Sequence, residues 1–424
     1  MPTGGISDIL ARPAASRPAI LEGRWLGAQG GETVQAASPI SVIEGDANSL
    51  GELPAWLASH VEQFPEGAAI GYFAYELARV FERLPICPAP NLPDFSFAYY
   101  PWIEHVRDPG RTPGSPPAPA AVEVLSDFNP ARFISDVERI RHYIAAGDIY
   151  QANLTQQSAA QVGEGVPERT YARLRPTGAA MRAFLKLPRL TILSNSPERF
   201  FHVRGDRIRT SPIKGTLMRG NSPAVDEELR EKLLSSSKDR AENVMIVDLL
   251  RNDLGRICRY ETIQARLWEV DPLPHLFHLV SHVEGTLRPH IGLLEILRAL
   301  FPCGSITGAP KIRAMEILAE LEPVPRGVSM GAIGIIMGAP GRPGFEMDFN
   351  VAIRTITVHD NVATFNVGCG IVYDSIAEAE YQEMLLKAQP LLEALGVECT
   401  AAECGRGRIV RDQLEGPAVV DSLP

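Results

Sequence analysis

Three apolar, strand-like segments in the last quarter of the chain follow one another with short connections. They read MGAIGIIMG (330–338), NVAIRTITV (350–358) and VATFNVGCGIV (362–372), and RLTILS (189–194) is a similar run earlier in the chain. Two parallel strands need a crossover of a dozen or more residues, whereas antiparallel strands are joined by short turns. The spacing therefore favours hairpins and an antiparallel sheet over a β-α-β winding.

Four other segments carry apolar residues at helical spacing and predict helices. They cover residues 127–148, 235–255, 308–321 and 375–395. The second segment starts with a serine cap and has Gly255 just past its end, and the third has Pro310 in its first turn. The fourth begins with the capping-box pattern Ser375-x-x-Glu378. Helices beside an antiparallel sheet predict the α+β class.

A segment dense in proline and glycine, DPGRTPGSPPAPA (108–120), predicts a linker because it cannot hold a helix or a central strand. We therefore divide the 424 residues into a strand-rich N-terminal region, 1–120, and a larger region, 121–395. The last segment, 396–424, has little periodicity and is predicted to be a peripheral tail.

Charge and cysteine content restrict the partners and the compartment. The net charge of −10 argues against nucleic acid or an anionic membrane as the main partner. The six cysteines match neither a zinc site nor a disulfide framework, and we find neither a signal peptide nor an apolar run of about 20 residues. These features predict a reduced, cytoplasmic protein.

Acidic residues share one face in two of the predicted helices. Glu380, Glu383 and Lys387 are three and four residues apart, and Asp239 and Glu242 are three apart. One interpretation is two solvated helix edges. The other is that Glu242 and Glu383 face each other and hold Mg²⁺, which needs only one or two carboxylates together with waters and substrate oxygens.

Two features could hold an anion. In FPCGSITGAPK (301–311), small residues lead into a helix, so free backbone N–H groups point toward whatever lies before Gly308. Pro310 follows that glycine closely, and the segment lacks the G-K-[ST] of a phosphate-binding loop. Arg354, in the strand-like segment 350–358, is either an anion ligand or a cation on an edge strand.

Two further residues have an ordinary and a chemical interpretation. The stretch NVGCGIVYDS (366–375) suggests the G-x-C-x-G elbow of a glutaminase, but it has only one glycine pair and no helix directly follows Cys369, so we interpret Cys369 as a packed strand residue. Lys214, in TSPIKGTLMRG (210–220), has apolar or small neighbours from Ser211 to Thr216. It either packs its stem on apolar surface with the amine in water, or is a buried amine used in chemistry.

The motifs, taken together, resemble the chorismate-utilising enzymes. They occur in the family's order over about 240 residues. The matching stretches are GDIYQANLT (147–155), SPERF (196–200), SPIKGT (211–216), KDRAENVMIVDLLRNDLGR (238–256), HLVSHVEG (278–285), FPCGSITGAPK (301–311), AIRT (352–355) and GCGIVYDS (368–375), followed by the two glutamates and the lysine of the last helix. The resemblance implies two stacked antiparallel β-sheets with helices packed outside, chorismate as substrate and Mg²⁺ as cofactor.

The resemblance also implies roles for individual residues. Glu242 and Glu383 match the metal-binding carboxylates, with Glu380 nearby, and Glu198 matches a general acid. The groups that match substrate-binding or ring-adjacent positions are Arg354, Lys387, Gly308, the amides around Gly368 and Gly370, His278 and Thr307. The chain departs from the pattern in two places. Ile335 stands where relatives carry an aromatic residue, and TGAAM (177–181) stands where tryptophan-sensing relatives carry NPSPY, which argues against a regulatory tryptophan site.

Lys214 distinguishes branches of this family. The PIKGT form resembles the aminodeoxychorismate synthases, whereas anthranilate synthase large subunits carry PIAGT. The resemblance implies that the Lys214 amine, desolvated by its neighbours, attacks C2 of chorismate and that ammonia then displaces it to give 4-amino-4-deoxychorismate, on the route to p-aminobenzoate and folate.

The chain lacks a convincing glutaminase motif, so ammonia is expected from a separate glutaminase subunit. Three alternatives remain: an anthranilate synthase, an isochorismate or salicylate synthase that uses water at C2, and a non-catalytic chorismate-binding subunit. Lys214 argues against the first two. The joint presence of Lys214, Glu198, Glu242 and Glu383 argues against the third.

Overall fold

A computed structural model describes residues 5–27, 32–89, 91–107, 122–339 and 344–397 of the chain. The predicted linker, 108–120, and nearly all of the predicted tail, 396–424, lie outside the described residues.

The strands of the first half, in chain order, are β1 (Ala19–Gly23), β2 (Glu32–Ala36), β3 (Ser41–Gly45), β4 (Ala68–Phe73), β5 (Phe95–Tyr100), β6 (Glu104–Arg107), β7 (Glu123–Ser126), β8 (Gln151–Gln161), β9 (Met181–Lys186) and β10 (Leu190–Ser196). Those that follow are β11 (Arg199–Arg204), β12 (Arg207–Ser211), β13 (Ile213–Met218), β14 (Gln264–Pro272), β15 (Leu276–Thr286), β16 (Gly308–Ala309), β17 (Ala332–Gly338), β18 (Phe345–Val351), β19 (Thr355–His359) and β20 (Val362–Ile371).

These strands form two sheets in which the described pairs are antiparallel, as the short connections predicted. The first sheet has the order β16-β8-β20-β19-β10-β9-β1-β2-β6, with β7 paired to β8. The second has the order β13-β15-β12-β11-β18-β17-β4-β5-β3, with β14 paired to β15. Strand β1 pairs with β9, and β4 pairs with β17. Strands from both sides of residue 120 therefore share each sheet.

One predicted strand is divided between the two sheets. The segment 350–358 was predicted to be continuous, but β18 ends at Val351 in the second sheet and β19 begins at Thr355 in the first. Arg354 lies in the crossing, with a φ of 49°. Its prediction as a strand residue is therefore wrong: a continuous apolar pattern does not show where a chain leaves one sheet for another.

The helices of the described residues are α1 (Ile6–Leu10), α2 (Leu53–Gln63), α3 (Pro130–Ala145), α4 (Val166–Leu174), α5 (Pro223–Ser235), α6 (Ser237–Gly255), α7 (Leu293–Leu300), α8 (Lys311–Leu321) and α9 (Ala377–Leu395). The four predicted helices correspond to α3, α6, α8 and α9. Within the described residues, none of the helices is long and apolar enough to cross a bilayer.

The predicted helix ends are partly wrong. The α6 cap is correct, since the Ser236 side chain accepts from the Asp239 backbone N–H, but Gly255 is the last residue of the helix. Pro310 is the residue before α8. The predicted capping box of α9 does not form, because the Ser375 hydroxyl donates instead to Glu380 Oε1 at 2.8 Å.

The clusters of buried residues show that the sheets and helices form four layers. Leu21, Ala183 and Ile192 of the first sheet share a core cluster with Tyr72 and Ile333 of the second, so these sheet faces pack together. A second cluster joins the outer face of the second sheet to helices α6 and α7, and a third joins the first sheet to α3, α8 and α9. The helices therefore cover the outer faces of two stacked sheets, as expected.

Candidate active site

Lys214 lies where the end of the second sheet meets the first. It belongs to β13, at the end of the second sheet, yet its side chain is only 16% exposed. Its Nζ is 3.6 Å from Glu242 Oε2 on α6. A Cβ added to Gly370 of β20 would lie 3.4 Å from the same Nζ. Lys214 is therefore a largely buried amine that faces the first sheet, and not an ordinary surface cation.

Gly370 gives Lys214 and Gln151 space that a side chain would remove. A Cβ at this position would lie 2.4 Å from Gln151 Nε2. Gln151 is fully buried, and among the described residues neither polar atom of its side chain has a hydrogen-bond partner. Its amide can donate to a ligand and accept from one. The motif at residues 147–155 contains Gln151, but the sequence does not mark this residue as functional, because its lack of hydrogen-bond partners is visible only in three dimensions.

Glu198 is a buried carboxyl group between β10 and β11. Burial raises its pKa to about 7, against the opposing effects of the Ser305 hydroxyl, the Lys214 ammonium and the Ile213 backbone N–H. Its Oε1 has no hydrogen-bond partner among the described residues. A carboxyl group that is protonated in a large fraction of molecules near pH 7 can act as a general acid.

His278, on β15, is held as a neutral imidazole. Its Nδ1 lies 2.9 Å from Thr216 Oγ1, while its Nε2 is buried without a partner among the described residues. Burial, together with the nearby Arg354 charge, lowers the pKa of His278 to about 4. The ring is therefore uncharged at neutral pH, and one nitrogen remains available to a ligand.

Arg354 places an uncompensated positive charge near His278. Burial lowers the pKa of its guanidinium below the ordinary value. Within the described part of the chain, its side chain has no hydrogen bond or ion pair, whereas its backbone oxygen accepts from the Asn195 N–H. A half-buried cation without a carboxylate partner costs free energy, and an anionic ligand would reduce this cost. Because Arg354 lies between β18 and β19, the interpretation as a cation on an edge strand is wrong.

The turn that contains Thr307 and Gly308 is fixed against β8. Thr307 is fully buried, and its hydroxyl donates to the Cys303 and Gly304 carbonyl oxygens at 3.2 and 3.3 Å. Gly308 has a φ of 151°, and a Cβ there would lie 2.2 Å from the Gln151 carbonyl oxygen. Only glycine permits this approach, so the turn lies directly beside the Gln151 side of the site.

Two glutamates of α9 lie close together. Glu380, Glu383 and Cys369 each have a potential ligand atom within 4.8 Å of the others. Burial raises the pKa of Glu380. Burial also acts on Glu383, but Lys387 and two further lysines outweigh it and lower its pKa. Since the two carboxylates supply hard oxygen ligands, they fit Mg²⁺. Burial raises the pKa of Cys369 to about 12, so its sulfur is a neutral thiol and a poor ligand for this ion.

In the described structure, Glu242 does not belong to the group formed by Cys369, Glu380 and Glu383. Its carboxylate faces two lysines, at 3.6 Å from Lys214 Nζ and 4.0 Å from Lys238 Nζ. Both distances are too long for hydrogen bonds, so its oxygens are not committed to a close partner. The charges of Lys214 and Lys238 also lower the pKa of Glu383, so the same two lysines act on carboxylates of both α6 and α9. Shared coordination of Mg²⁺ by Glu242 and Glu383 stays a prediction.

Lys387, unlike Arg354, is already paired. Its Nζ donates to the Gly368 carbonyl oxygen at 3.1 Å and lies 2.8 Å from Glu383 Oε1. Gly368 itself approaches the Leu154 carbonyl, which a Cβ would contact at 2.0 Å. Lys387 therefore connects β20 to the acidic face of α9, and its binding to a substrate carboxylate stays a prediction.

The fold and the grouped polar residues define an enzyme of the chorismate-utilising class. The chain belongs to this family: the family model for chorismate binding enzymes matches residues 24–393.

Several curated relatives of one name align with most of the chain. It is 38% identical over 355 residues to aminodeoxychorismate synthase component 1 of Salmonella typhimurium, covering 78% of this chain and 77% of that protein. It is 36% identical over 414 residues to the protein of the same name in Klebsiella aerogenes, covering 91% and 89%. Anthranilate synthase component 1 of Geobacillus stearothermophilus is 41% identical over 274 residues, covering 64% of this chain and 52% of that protein.

Solved structures agree with this architecture. Anthranilate synthase component I from Streptococcus pneumoniae is 29% identical, with a TM-score of 0.71 and coverage of 86% of this chain and 92% of that one. The menaquinone-specific isochorismate synthase of Escherichia coli has a TM-score of 0.72 over 93% of this chain and 92% of its own, at 18% identity. The second likeness shows the shared fold only.

Proposed function

We propose that this chain is the chorismate-aminating subunit of an aminodeoxychorismate synthase, which makes 4-amino-4-deoxychorismate for p-aminobenzoate and folate synthesis. The observation that carries the proposal is the position of Lys214: its amine is largely buried, is 3.6 Å from Glu242 and faces Gly370. The related proteins of that name, aligned over most of the chain, support it. The four free cysteines among the described residues are consistent with a reducing, cytoplasmic location.

The reaction would proceed in two displacements. The Lys214 amine attacks C2 of chorismate, the two conjugated double bonds of the ring shift, and the C4 hydroxyl leaves with a proton from Glu198. Ammonia then attacks C4, the two double bonds shift back, and the C2–N bond to Lys214 breaks to regenerate the amine. Because Glu198 has a pKa near 7, it can give its proton to the departing oxygen and recover it at working pH.

Other groups of the site would orient the substrate. Arg354, a half-buried cation whose side chain has no hydrogen bond or ion pair among the described residues, would bind a carboxylate of chorismate, and the neutral His278 would offer its free Nε2 beside the ring. Glu242, Glu383 and Glu380 would hold Mg²⁺. When bound, this ion would supply a Lewis acid that polarises a substrate carboxylate.

The runner-up is anthranilate synthase component I, which the 41% identity to the Geobacillus stearothermophilus protein favours over part of the chain. Product identity separates the two functions. Purified chain supplied with chorismate, Mg²⁺ and ammonium at raised pH should form 4-amino-4-deoxychorismate, resolved from anthranilate by chromatography and mass. Anthranilate or isochorismate as the main product would refute the proposal, and no consumption of chorismate would favour a non-catalytic binding subunit.

A further inference from the structure

A buried arginine outside the residues assigned so far connects the Thr307 turn to the rest of the protein. Arg326 follows α8, and only 1% of its side chain is exposed. Its Nη1 donates to the Ile306 carbonyl oxygen at 2.7 Å, and its Nη2 donates to the Asn153 carbonyl oxygen at 2.8 Å. The Asn153 N–H in turn donates to the Thr307 carbonyl oxygen at 2.8 Å. Arg326 therefore bonds to both partners of the contact between β8 and the turn.

The guanidinium is itself held from two sides. Glu322 accepts from its Nε and its Nη2, both at 2.7 Å. Glu322 Oε1 also accepts from the backbone N–H and the hydroxyl of Thr155, both at 2.9 Å. On the other side, the guanidinium lies over the Tyr75 ring at 4.5 Å from its centroid. Glu76, next to Tyr75, accepts from the Arg326 backbone N–H at 2.7 Å. We call Arg326, Glu322, Thr155, Tyr75 and Glu76 the Arg326 network.

Stability alone does not account for this arrangement. Removing two charges from water costs several kcal/mol each, and apolar residues of similar volume often stabilise a protein as well as a buried ion pair does. What the guanidinium provides is geometry, because its planar fork fixes several acceptors at once. The acceptors fixed here are a carboxylate and the two main-chain carbonyls that lie beside Thr307.

The fixed turn carries two groups of the candidate site. Ser305 precedes the held Ile306 carbonyl and acts on the Glu198 carboxyl, and Thr307 follows it. Strand β8, held through Asn153, also carries Gln151 with its unpartnered amide. A displacement of either segment would move groups that border the substrate position.

We infer that Arg326 is a positioning residue that holds the Thr307 turn and β8 in register as one wall of the chorismate site. The expected effect of Arg326 on the kinetics rests on the proposed use of chorismate. The expected effect on the local stability of the turn and β8 does not. Tyr75 and Glu76 make the N-terminal region part of this arrangement, since they lie before the predicted linker and contact Arg326.

The test compares Arg326→Lys with the unmodified chain and with a matched control. Lysine keeps the charge but cannot reach Glu322 and two carbonyl oxygens together. Arg175→Lys is the control: Arg175 Nε lies 2.9 and 3.0 Å from the two oxygens of the buried Glu22, and the strand of Glu22, β1, is separated from β8 by four strands. Thr155→Val, which removes one hydroxyl from the network, is a milder variant in case Arg326→Lys does not fold.

The first measurement is amide hydrogen exchange of the ligand-free protein. In Arg326→Lys, exchange in peptides covering 151–155 and 304–309 should become at least about tenfold faster, which corresponds to loss of about 1.4 kcal/mol of local stability. Thr155→Val should show a smaller change at the same peptides, and Arg175→Lys none there. Unchanged exchange at both peptides in folded Arg326→Lys and Thr155→Val proteins would overturn the inference, whether or not the chain uses chorismate.

The second measurement is the KM for chorismate, from its consumption with Mg²⁺ and ammonium. A merely structural role would lower the folded, active fraction and hence the apparent kcat, but would leave KM unchanged. We expect a KM increase of at least about tenfold in Arg326→Lys and no change in Arg175→Lys. An unchanged KM in an active Arg326→Lys enzyme would overturn the positioning role. A chain that consumes no chorismate refutes the proposed function, while the exchange measurement still decides the structural inference.

Discussion

Replacing Glu198 with glutamine should stabilise the protein at alkaline pH while it removes activity. Glutamine keeps the shape of the side chain but is neutral at every pH. Burial raises the pKa of Glu198 from its ordinary 4.5 to about 7. Between pH 4.5 and pH 7, the folded state therefore keeps the Glu198 proton, whereas the unfolded state has lost it. The free energy of unfolding contributed by this group is therefore fully present below pH 4.5 and is lost as pH rises through 7.

The size of the effect follows from the two pKa values. Each pKa unit corresponds to about 1.36 kcal/mol, so the difference between 4.5 and about 7 corresponds to about 3 kcal/mol at pH 8. Glu198→Gln should be more stable than the unmodified chain by up to that amount at pH 8, and nearly equal to it at pH 4.5. Turnover should fall by about 10² to 10⁴, because the amide cannot protonate the leaving hydroxyl.

Urea unfolding followed by circular dichroism at pH 5, 6, 7 and 8 measures the free energy of unfolding of both proteins. Taking the difference between the two proteins removes the contribution of other titrating groups. Glu228→Gln, at an exposed position on α5, is the matched control and should show no pH-dependent difference. A stability gap that does not widen between pH 5 and pH 8 would contradict the buried, proton-holding state of Glu198. Retention of full turnover would contradict its role as the acid.

The remaining predictions concern the metal, the nucleophile and the nitrogen source. Glu383→Gln removes one charge from the proposed Mg²⁺ site, so calorimetry should show weaker Mg²⁺ binding and activity should fall steeply at low Mg²⁺ without loss of fold; near-normal turnover there would refute the assignment. With ammonia withheld, incubation with chorismate and Mg²⁺ should increase the mass of the chain by that of chorismate minus water. Intact-mass analysis should detect this adduct, peptide mapping should place it on Lys214, and it should be absent in Lys214→Ala. Lys214→Arg should be folded but inactive, because arginine keeps the charge but offers no free amine, and an active variant would rule out the covalent route. The pure chain should use ammonium but not glutamine, and glutamine-driven turnover without a second subunit would exclude a separate glutaminase.

Local patterns were sufficient for much of the secondary structure. The periodicity of residues 127–148 and 375–395 predicted α3 and α9 because an amphipathic helix repeats its apolar face every 3.6 residues, whatever it packs against. The strand-like segments predicted antiparallel pairing because short connections can join antiparallel strands, whereas parallel strands need long crossovers. Helix ends were less predictable, since the Ser375 hydroxyl could bond either to a nearby N–H or to Glu380, and its surroundings decided between them.

Motif order identified Lys214, Glu198 and the acidic helix faces as candidate groups of the site, because a motif specifies residue types and their positions along the chain. How those groups meet depends on tertiary contacts. Lys214 and Glu242 lie on a strand and a helix, and no local periodicity sets the 3.6 Å between them. The crossing at Arg354, the unpartnered amide of Gln151 and the bonds of Arg326 to β8 and to the Thr307 turn likewise depend on contacts between segments distant in the chain, which form only when the two sheets stack.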